Sequence, residues 1–233
     1  MLDKKKLKCV IICGGKGKRL SPLTSNLPKS LVSVKGKPLL GHIVDYFKRF
    51  SDDFIFIFEK DNVGLEEFIK TLPVKSKCII EEDPKGIANA MSLAKDFIED
   101  KFIVSLGDCL YNGDFDFPDD ADHGFGVVEA DNIDDIKRSY SVELVDGKPY
   151  RVVEKPTEIP NNLCGMGVYL FNKNVFDHIK TTKPSDRTGK VEITDVLQSL
   201  ISSKEKIRPL LFNGKYLNVT YPEDIKRAEE MLS

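Results

Sequence analysis

The chain has 233 residues, enough to bury a sizeable core, and its 35 basic side chains nearly balance 37 acidic ones, for a net charge of −2. That balance gives no general attraction to nucleic acid or to anionic membranes. No apolar run approaches the roughly 20 residues of a membrane span, and the opening sequence MLDKKKLK lacks the apolar core of a signal peptide, so we expect a cytoplasmic protein that binds neither nucleic acid nor membranes.

The first half of the chain alternates between strand-like and helix-like patterns. Short apolar runs with the composition of buried strands cover residues 9–13, 54–58, 78–80 and 102–106. Apolar residues at helical spacing separate these runs, over residues 38–47, 65–72 and 87–98. Alternation of this kind, with strands that are apolar on both sides, predicts a mainly parallel sheet covered by helices on both faces.

The second half has the pattern of antiparallel strands. Asp146-Gly147 stands between two strand-like runs, which is a hairpin signal. Further short strands are predicted at 125–130, 140–144 and 165–171, and helices at 173–179, 192–201 and 221–232. We therefore predict an α/β fold with a mixed, mainly parallel sheet flanked by helices, in one domain covering residues 1–233.

The cysteines do not suggest a disulfide framework. Five of them occur, at positions 9, 13, 78, 109 and 164, and they form no CxxC pair. Most lie within or beside apolar runs. We expect buried free thiols, as in the reducing cytosol.

The first predicted strand ends in a glycine-rich basic loop, GGKGKRL, at residues 14–20. Glycines let a backbone approach a ligand closely and turn its N–H groups inward. Positive charge at the same place comes from Lys16, Lys18 and Arg19. Another cation, Lys29, directly follows a proline, which restricts the local backbone. This combination suits a polyphosphate, although a solvated basic turn is the plain alternative.

Two common phosphate-binding patterns do not fit this loop. The P-loop pattern GxxxxGK[ST] is absent, because Arg19 follows Lys18. The dinucleotide pattern GxGxxG starts at Gly15, but Leu20 stands where its last glycine should be. The missing glycine disfavours a dinucleotide-binding oxidoreductase.

The longer stretch at 14–40, GGKGKRLSPLTSNLPKSLVSVKGKPLL, resembles the signature of the sugar-phosphate nucleotidyltransferases, GGxGxRLxPLTxxxPKxLxxVxxKPLL. The resemblance implies a Rossmann-like, GT-A-like fold of the NDP-sugar pyrophosphorylase type. It also implies that Arg19 and Lys29 grip the triphosphate of a nucleotide. The nucleotide-binding glycines of the loop would be Gly14, Gly15 and Gly17, the first two at the base.

Asp108 follows the predicted strand 102–106, in the sequence LGDC. Ligands of open α/β sheets gather at the carboxyl ends of strands, where a carboxylate suits a divalent ion that carries phosphates; a turn cap is the alternative. The resemblance implies that Asp108 is a catalytic magnesium ligand. Gly86 lies in DPKGIANA, which resembles the family's PxGLAQA stretch at the base, with Asn89 in place of glutamine.

The family's sugar-phosphate motifs match the second half of the chain. Glu154-Lys155-Pro156 corresponds to its EKP motif, which implies that Lys155, beside Glu154, binds the sugar phosphate; a solvated charge pair is the alternative. NLCGMGVYLF resembles the strand that places a glycine, here Gly167, near the sugar. PSDRTGKVEITDVLQ resembles the segment in which a glutamate, here Glu192, accepts hydrogen bonds from sugar hydroxyls.

The sequence departs from the family near residue 218. The family reads W-x-D-x-G-T-P-E-D-L, whereas this chain reads YLNVTYPEDI, with Asn218, Thr220 and Tyr221 at the aspartate, glycine and threonine positions. Asparagine can still offer a neutral oxygen to magnesium. Asp108 and Asn218 are therefore the candidate metal ligands. We do not expect the β-helix extension that some relatives carry.

The resemblance covers about residues 8–230. It implies an Mg²⁺-dependent enzyme that condenses a nucleoside triphosphate with a sugar 1-phosphate, or a similar phosphate monoester, to an NDP-sugar and pyrophosphate for glycan biosynthesis. Likeness to pyrimidine-using relatives favours dTTP or UTP as the nucleotide, and CTP or GTP is left open. A homo-oligomer is also left open. The alternative is a catalytically weakened homologue that binds nucleotide or sugar and regulates a partner, for which Asn218 is the support.

Overall fold

The computed structural model describes residues 7–15, 17–116, 118 and 120–233. The strands are β1 (Lys8–Ile12), β2 (Ser33–Val34), β3 (Lys37–Pro38), β4 (Asp53–Glu59), β5 (Lys75–Glu81), β6 (Phe102–Leu106), β7 (Cys109–Phe115), β8 (His123–Glu129), β9 (Tyr140–Val145), β10 (Lys148–Glu154), β11 (Leu163–Phe171) and β12 (Ile207–Asn218). The α-helices are α1 (Leu39–Phe47), α2 (Leu65–Thr71), α3 (Ile87–Ser92), α4 (Ile133–Arg138), α5 (Val175–Thr181), α6 (Ile193–Ser202) and α7 (Glu223–Met231). Short 3₁₀ turns cover Lys18–Leu20, Lys29–Leu31 and Lys95–Phe97.

The main sheet is mixed. Its strand order is β5-β4-β1-β6-β11-β8-β12-β7, with β9 paired to β11 and β10 paired to β9. β1 runs parallel to both β4 and β6, and β5 runs parallel to β4. β11 is antiparallel to β6 and β8, and β7 is antiparallel to β12, whereas β12 runs parallel to β8. The prediction of a mixed sheet, parallel through the first half of the chain, is confirmed.

Helices cover both faces of the sheet. In β1, Cys9 and Ile11 pack into one apolar core, and Val10 and Ile12 pack into the other, as the alternation of side chains along a strand requires. The first core also receives α1, α2 and α7, and the second receives α3, α5 and α6. Burial on both faces explains why the central strands are continuously apolar in the sequence.

The predicted elements are present within a few residues, with one clear difference. The helix predicted at 87–98 ends at Ser92. The N–H groups of Leu93 and Ala94 donate to carbonyls three residues back, and the chain continues as the turn Lys95–Phe97. The last part of the apolar pattern therefore belongs to a tighter helix, in which bonds of this spacing are regular.

The expectations drawn from composition can also be compared with the structure. All five cysteines are free thiols, and Cys9, Cys13, Cys109 and Cys164 are buried, as predicted. Within the described ranges, the structure holds no helix of the length and apolar character that crossing a membrane requires.

Candidate active site

The glycine-rich loop lies at the carboxyl ends of the central parallel strands. The N–H of Cys13 donates to the carbonyl of Ile57 at 2.7 Å, so β4 holds the start of the loop. Gly15 and Gly17 have φ values of +100° and +56°, a region that glycine enters without steric cost. The loop therefore turns at the edge where α/β sheets bind their ligands. Lys16, one of the predicted cations, lies outside the described residues.

Gly17 packs against the segment that carries Lys29. A Cβ at Gly17 would lie 2.9 Å from Thr24 Cγ2 and 3.1 Å from Lys29 Cβ. The hydroxyl of Thr24 donates to the carbonyl of Gly17 at 2.8 Å. The glycine and the lysine of the signature are thus neighbours in space. The direct role of Gly17 in nucleotide binding stays a prediction.

Lys29 forms an ion pair with Asp108. Its Nζ lies 2.6 Å from Asp108 Oδ2, and the side chains are 11% and 26% exposed. The pair joins the loop region to the residue that follows β6 by two positions. Because both side chains retain solvent access, an incoming anion can compete for the ammonium and a cation for the carboxylate.

Asn218 lies on the strand that pairs beside Asp108. It is the last residue of β12, where it pairs with Cys109, and the N–H of Val219 donates to the carbonyl of Asp108 at 2.9 Å. The amide oxygen of Asn218 accepts a hydrogen bond from the hydroxyl of Thr220 at 3.1 Å. The structure therefore brings together the segments that carry both candidate metal ligands.

A cleft of about 290 Å³ opens beside the loop. Its lining includes Gly14, Gly15, Gly86 and Asp108, which the sequence predicted at the nucleotide. The other lining residues are Ile12, Glu59, Glu81, Pro84, Ile87, Ala90, Leu106 and Lys190. Three of the four predicted nucleotide-binding glycines thus line one cavity, whereas Gly17 packs against Thr24 and Lys29.

Carboxylates that the sequence analysis did not single out also line this cleft. Glu59, the last residue of β4, accepts a hydrogen bond from the N–H of Gly15 at 2.9 Å. Glu81, the last residue of β5, is 6% exposed and accepts from the amide of Asn89 at 3.1 Å. Each glutamate directly follows a predicted strand, and this position was the available signal.

A second group of charges gathers where β10 ends and α6 begins. The guanidinium of Arg187 contacts Glu192 and lies 3.9 Å from Glu154. Thr194 donates to Glu154 at 3.5 Å. Lys155, next to Glu154, has a φ of +45°, a strained conformation that often marks functional sites. Three of the predicted sugar-phosphate residues, Glu154, Lys155 and Glu192, therefore lie in one region of the structure. Arg187, within the matched PSDRTGK segment, is a cation that the sequence analysis missed.

Comparison with known proteins identifies the family. The model of the family described as Nucleotidyl transferase matches residues 8–119 and 115–230. The chain belongs to the nucleotidyl transferase family.

Two curated relatives of this chain differ in length. The chain is 33% identical over 227 residues to the bifunctional protein GlmU of Methanocaldococcus jannaschii, with 96% of this chain and 53% of that protein covered; it thus spans about half that relative's length. It is 30% identical over 248 residues to the UTP--glucose-1-phosphate uridylyltransferase AglF of Haloferax volcanii, with 97% and 96% covered.

A solved structure supports the fold. The structure from Bacillus anthracis assigned to a glucose-1-phosphate thymidylyltransferase, in complex with sucrose, matches with a TM-score of 0.81 and 25% identity. The match covers 96% of this chain and 94% of that one. The expected Rossmann-like nucleotidyltransferase fold is confirmed.

Gly167 occupies a closely packed position beside the residue that follows Asp108. A Cβ there would lie 2.7 Å from Cys109 Sγ and 2.9 Å from a methyl carbon of Leu106. Its N–H donates to the hydroxyl of Tyr216 at 2.9 Å, and the hydroxyl of Tyr111 donates to its carbonyl at 3.1 Å. Close packing of β11 thus accounts for a glycine here. A contact between Gly167 and the sugar stays a prediction.

Asp224 organises the turn that follows β12. Its side chain is 0% exposed and accepts hydrogen bonds from the N–H groups of Thr220 and Tyr221, each at 2.8 Å. It also pairs with Arg138 at 3.4 Å and Arg227 at 3.1 Å. A buried carboxylate is stable when it is paired and hydrogen-bonded in this way. Asp224 was not predicted as a site residue, although it lies in the PED of the matched C-terminal motif.

The Glu154 carboxyl group is perturbed by its surroundings. Burial, followed by the negative charge of Glu192, raises the pKa of Glu154 from 4.5 to about 7. Lys155 and Arg187 oppose that rise. The carboxyl group therefore changes its protonation close to neutral pH.

Replacing Glu154 with glutamine is expected to flatten the pH dependence of stability. Between pH 4.5 and about 7 the folded state binds a proton at Glu154 that the unfolded state has released. The free energy of unfolding therefore falls as pH rises through this window, and glutamine cannot titrate. Denaturant unfolding of the parent, Glu154→Gln and the control Glu143→Gln across this range measures the effect. Equal slopes for the parent and Glu154→Gln would contradict the assignment.

Proposed function

We propose that this nucleotidyl transferase joins a nucleoside triphosphate to a sugar 1-phosphate, giving an NDP-sugar and pyrophosphate. The observation that carries this proposal is the Lys29–Asp108 ion pair, with 2.6 Å between Nζ and Oδ2, beside a cleft lined by Gly14 and Gly15 of the glycine-rich loop. The 187–192 segment links this cleft to the second group of charges, because Lys190 lines the cleft and Arg187 contacts Glu192. Cations are thus available for two phosphate-bearing substrates.

The chemistry needs no covalent nucleophile from the protein. An oxygen of the sugar phosphate attacks the α-phosphorus of the triphosphate in line, the bond to the β-phosphate breaks, and pyrophosphate carries away the electron pair. Arg19 serves the leaving pyrophosphate, because a planar guanidinium offers several donors to phosphate oxygens. Lys29 serves the triphosphate and Lys155 the attacking phosphate. The protein thereby holds two anions together and offsets the charge that grows in the transition state.

A divalent ion, Mg²⁺ in our proposal, fits Asp108 as its principal protein ligand. The described residues contain no group of three or more His, Cys, Asp or Glu side chains that could hold a metal by themselves. Mg²⁺ suits such a site, because it keeps several waters and binds through one or two carboxylates plus substrate phosphates. The ammonium of Lys29 already shows that the Asp108 carboxylate accepts a cation. When bound, the ion would neutralise phosphate charge, with Asn218 offering a neutral oxygen.

Replacing Asn218 with aspartate is expected to lower the Mg²⁺ concentration that gives half-maximal turnover. A carboxylate beside Asp108 adds negative charge to the metal site, whereas an amide oxygen does not. Pyrophosphate release measured over a series of Mg²⁺ concentrations compares the two proteins. The control is Asn213→Asp, on β12 but paired with Asp114, several residues along the β7–β12 ladder from Asn218. An active parent whose metal requirement is unchanged in Asn218→Asp would place residue 218 outside the metal site.

Replacing Lys155 with alanine is expected to raise KM for the sugar phosphate far more than KM for the triphosphate. Lys155 follows Glu154, which lies near Arg187 and is not part of the glycine loop. Loss of a phosphate contact weakens binding of the substrate that made it. Steady-state kinetics with each substrate varied in turn gives both constants. Lys148→Ala, on the same hairpin, is the control. Equal changes in the two KM values would contradict the division of the site.

The base is proposed to be a pyrimidine, with UTP or dTTP preferred. The likeness of DPKGIANA and PSDRTGKVEITD to pyrimidine-using relatives supports this, as does the name of AglF, a UTP--glucose-1-phosphate uridylyltransferase. The test is pyrophosphate release from UTP, dTTP, CTP, GTP and ATP, each with a panel of sugar 1-phosphates. Clear preference for GTP or ATP would contradict the proposal. Preference for CTP would keep a pyrimidine base but contradict the choice of UTP or dTTP.

Asn218 supports a second candidate, a homologue with weakened catalysis that binds nucleotide or sugar and regulates a partner. Loss of the aspartate that the family signature carries would weaken metal binding. This candidate predicts nucleotide binding without pyrophosphate release from any substrate pair. For either function we propose a cytoplasmic location, supported by the unpaired state of all five cysteines.

A further inference from the structure

Tyr221 contacts the loop arginine that the proposed reaction uses. The guanidinium carbon of Arg19 lies 5.7 Å from the centre of the Tyr221 ring, and that of Arg138 lies 4.7 Å from it. Both distances are within the range at which an aromatic ring attracts a cation. One tyrosine from the C-terminal turn therefore interacts with an arginine from each half of the chain.

Asp224 holds both the backbone of Tyr221 and one of the arginines at its ring. The N–H of Tyr221 donates to Asp224 at 2.8 Å, and Asp224 is 0% exposed. Arg138, the other arginine at the ring, pairs with the same carboxylate at 3.4 Å. The backbone and one ring neighbour of Tyr221 are thus anchored on a single buried group.

Arg19 has no comparable anchor of its own. It is exposed, it follows the glycines in the turn Lys18–Leu20, and no carboxylate among the described residues pairs with it. A long, free side chain loses rotamer entropy when it binds a phosphate. A ring that already restricts the guanidinium lowers this cost, because a pre-positioned donor needs less ordering in the transition state.

We propose that Tyr221 is a positioning residue that holds Arg19 for the departing pyrophosphate. This inference rests on the proposed function. The aromatic ring, rather than the hydroxyl, carries the interaction, because ring and guanidinium are what the geometry brings together. The threonine of the family signature offers no ring, so this contact is a feature of the present chain.

The test compares Tyr221→Phe, Tyr221→Leu and Tyr221→Thr in the steady-state release of pyrophosphate. We expect the Leu and Thr variants to lose about threefold to fivefold in kcat/KM for the triphosphate and the Phe variant to keep the parental value. KM for the sugar phosphate should not change in any of them. Tyr150→Leu, at a tyrosine that is 60% exposed on β10, is the control. Thermal unfolding shows which variants are folded.

A double-mutant cycle separates positioning from a general structural role. In an Arg19→Ala background, Tyr221→Leu should cost nothing further, because the residue it positions is gone. An equal cost in both backgrounds, or a Phe variant as impaired as the Leu variant, would overturn the inference. If the parent is active and the folded Leu and Thr variants have the same kcat/KM as the parent, the role of Tyr221 is overturned, but the proposed function is not. A parent that releases no pyrophosphate with any substrate pair would reject the proposed function and this inference with it.

Discussion

Replacing Asp108 with asparagine is expected to reduce turnover by at least about 10²-fold, the loss typical of removing one preorganised electrostatic group. Asp108 lies just beyond β6, its carboxylate is 26% exposed, and it already accepts the Lys29 ammonium. Asparagine keeps the shape but removes the charge that would attract a divalent ion. Pyrophosphate release at saturating substrate and over a wide range of Mg²⁺ concentrations measures the loss.

Asp114→Asn is the matched control for this change. Asp114 lies on β7, its side chain is 80% exposed, and it pairs with Arg49 at 2.8 Å, away from the cleft. The same chemical change there should leave turnover unaltered, since exposed ion pairs contribute little. An Asp108→Asn protein with near-parental turnover would remove Asp108 from the catalytic site.

Replacing Arg19 or Lys29 with alanine is expected to cost about 3–4 kcal/mol of transition-state stabilisation, or roughly 10²–10³ in rate. Arg19 is an exposed residue of the loop, and the Nζ of Lys29 lies 2.6 Å from Asp108 Oδ2. Each offers a positive charge where the triphosphate would acquire negative charge. Single-turnover and steady-state pyrophosphate release measure the two losses.

Lys29 needs a second variant, because its side chain is only 11% exposed. Removing it leaves the Asp108 carboxylate without its partner, which can affect folding. Lys29→Met keeps most of the packed stem without the charge, and Lys75→Ala, at an exposed ion pair with Asp53, controls for loss of a surface lysine. Turnover near the parental value in folded Arg19→Ala and Lys29→Met proteins would contradict the assignment of the loop.

Local sequence patterns were sufficient for much of the fold and of the site. Apolar runs predicted β1, β4 and β6 because strands buried on both faces need apolar side chains at every position. Gly15 could be predicted as a turn position, and it has a φ of +100°. The carboxyl end of β6 predicted Asp108 near the loop, since parallel strands bring their ends to one edge.

Strands β7 and β12 were not predicted, because their glycines are typical of turns. Gly113 and Gly214 pair across these strands, with φ values of +154° and +150°. A Cβ on Gly113 would lie 2.2 Å from the carbonyl oxygen of Asn213, so the close approach of the two backbones requires glycine. The need for glycine at these two positions arises only from the pairing of the two strands, so it cannot be predicted from either segment alone.

Side-chain contacts between distant segments were also beyond the sequence pattern. Arg187 lay within a matched motif, but its contacts with Glu192 and Glu154 depend on how α6 packs against β10. Arg138 and Tyr221 meet only because Asp224 holds the turn after β12. Charged side chains are mostly solvated, so their residue types alone do not reveal such pairs.

The most direct test of the account is transfer of an α-phosphorus label. The protein is incubated with Mg²⁺, a sugar 1-phosphate and UTP or dTTP labelled at the α-phosphate, with the Asp108→Asn protein in parallel. The account predicts one labelled NDP-sugar for each pyrophosphate released, no label bound covalently to the protein, and little product from the variant. Nucleotide binding without any labelled NDP-sugar, across the panel of sugar 1-phosphates, would contradict it.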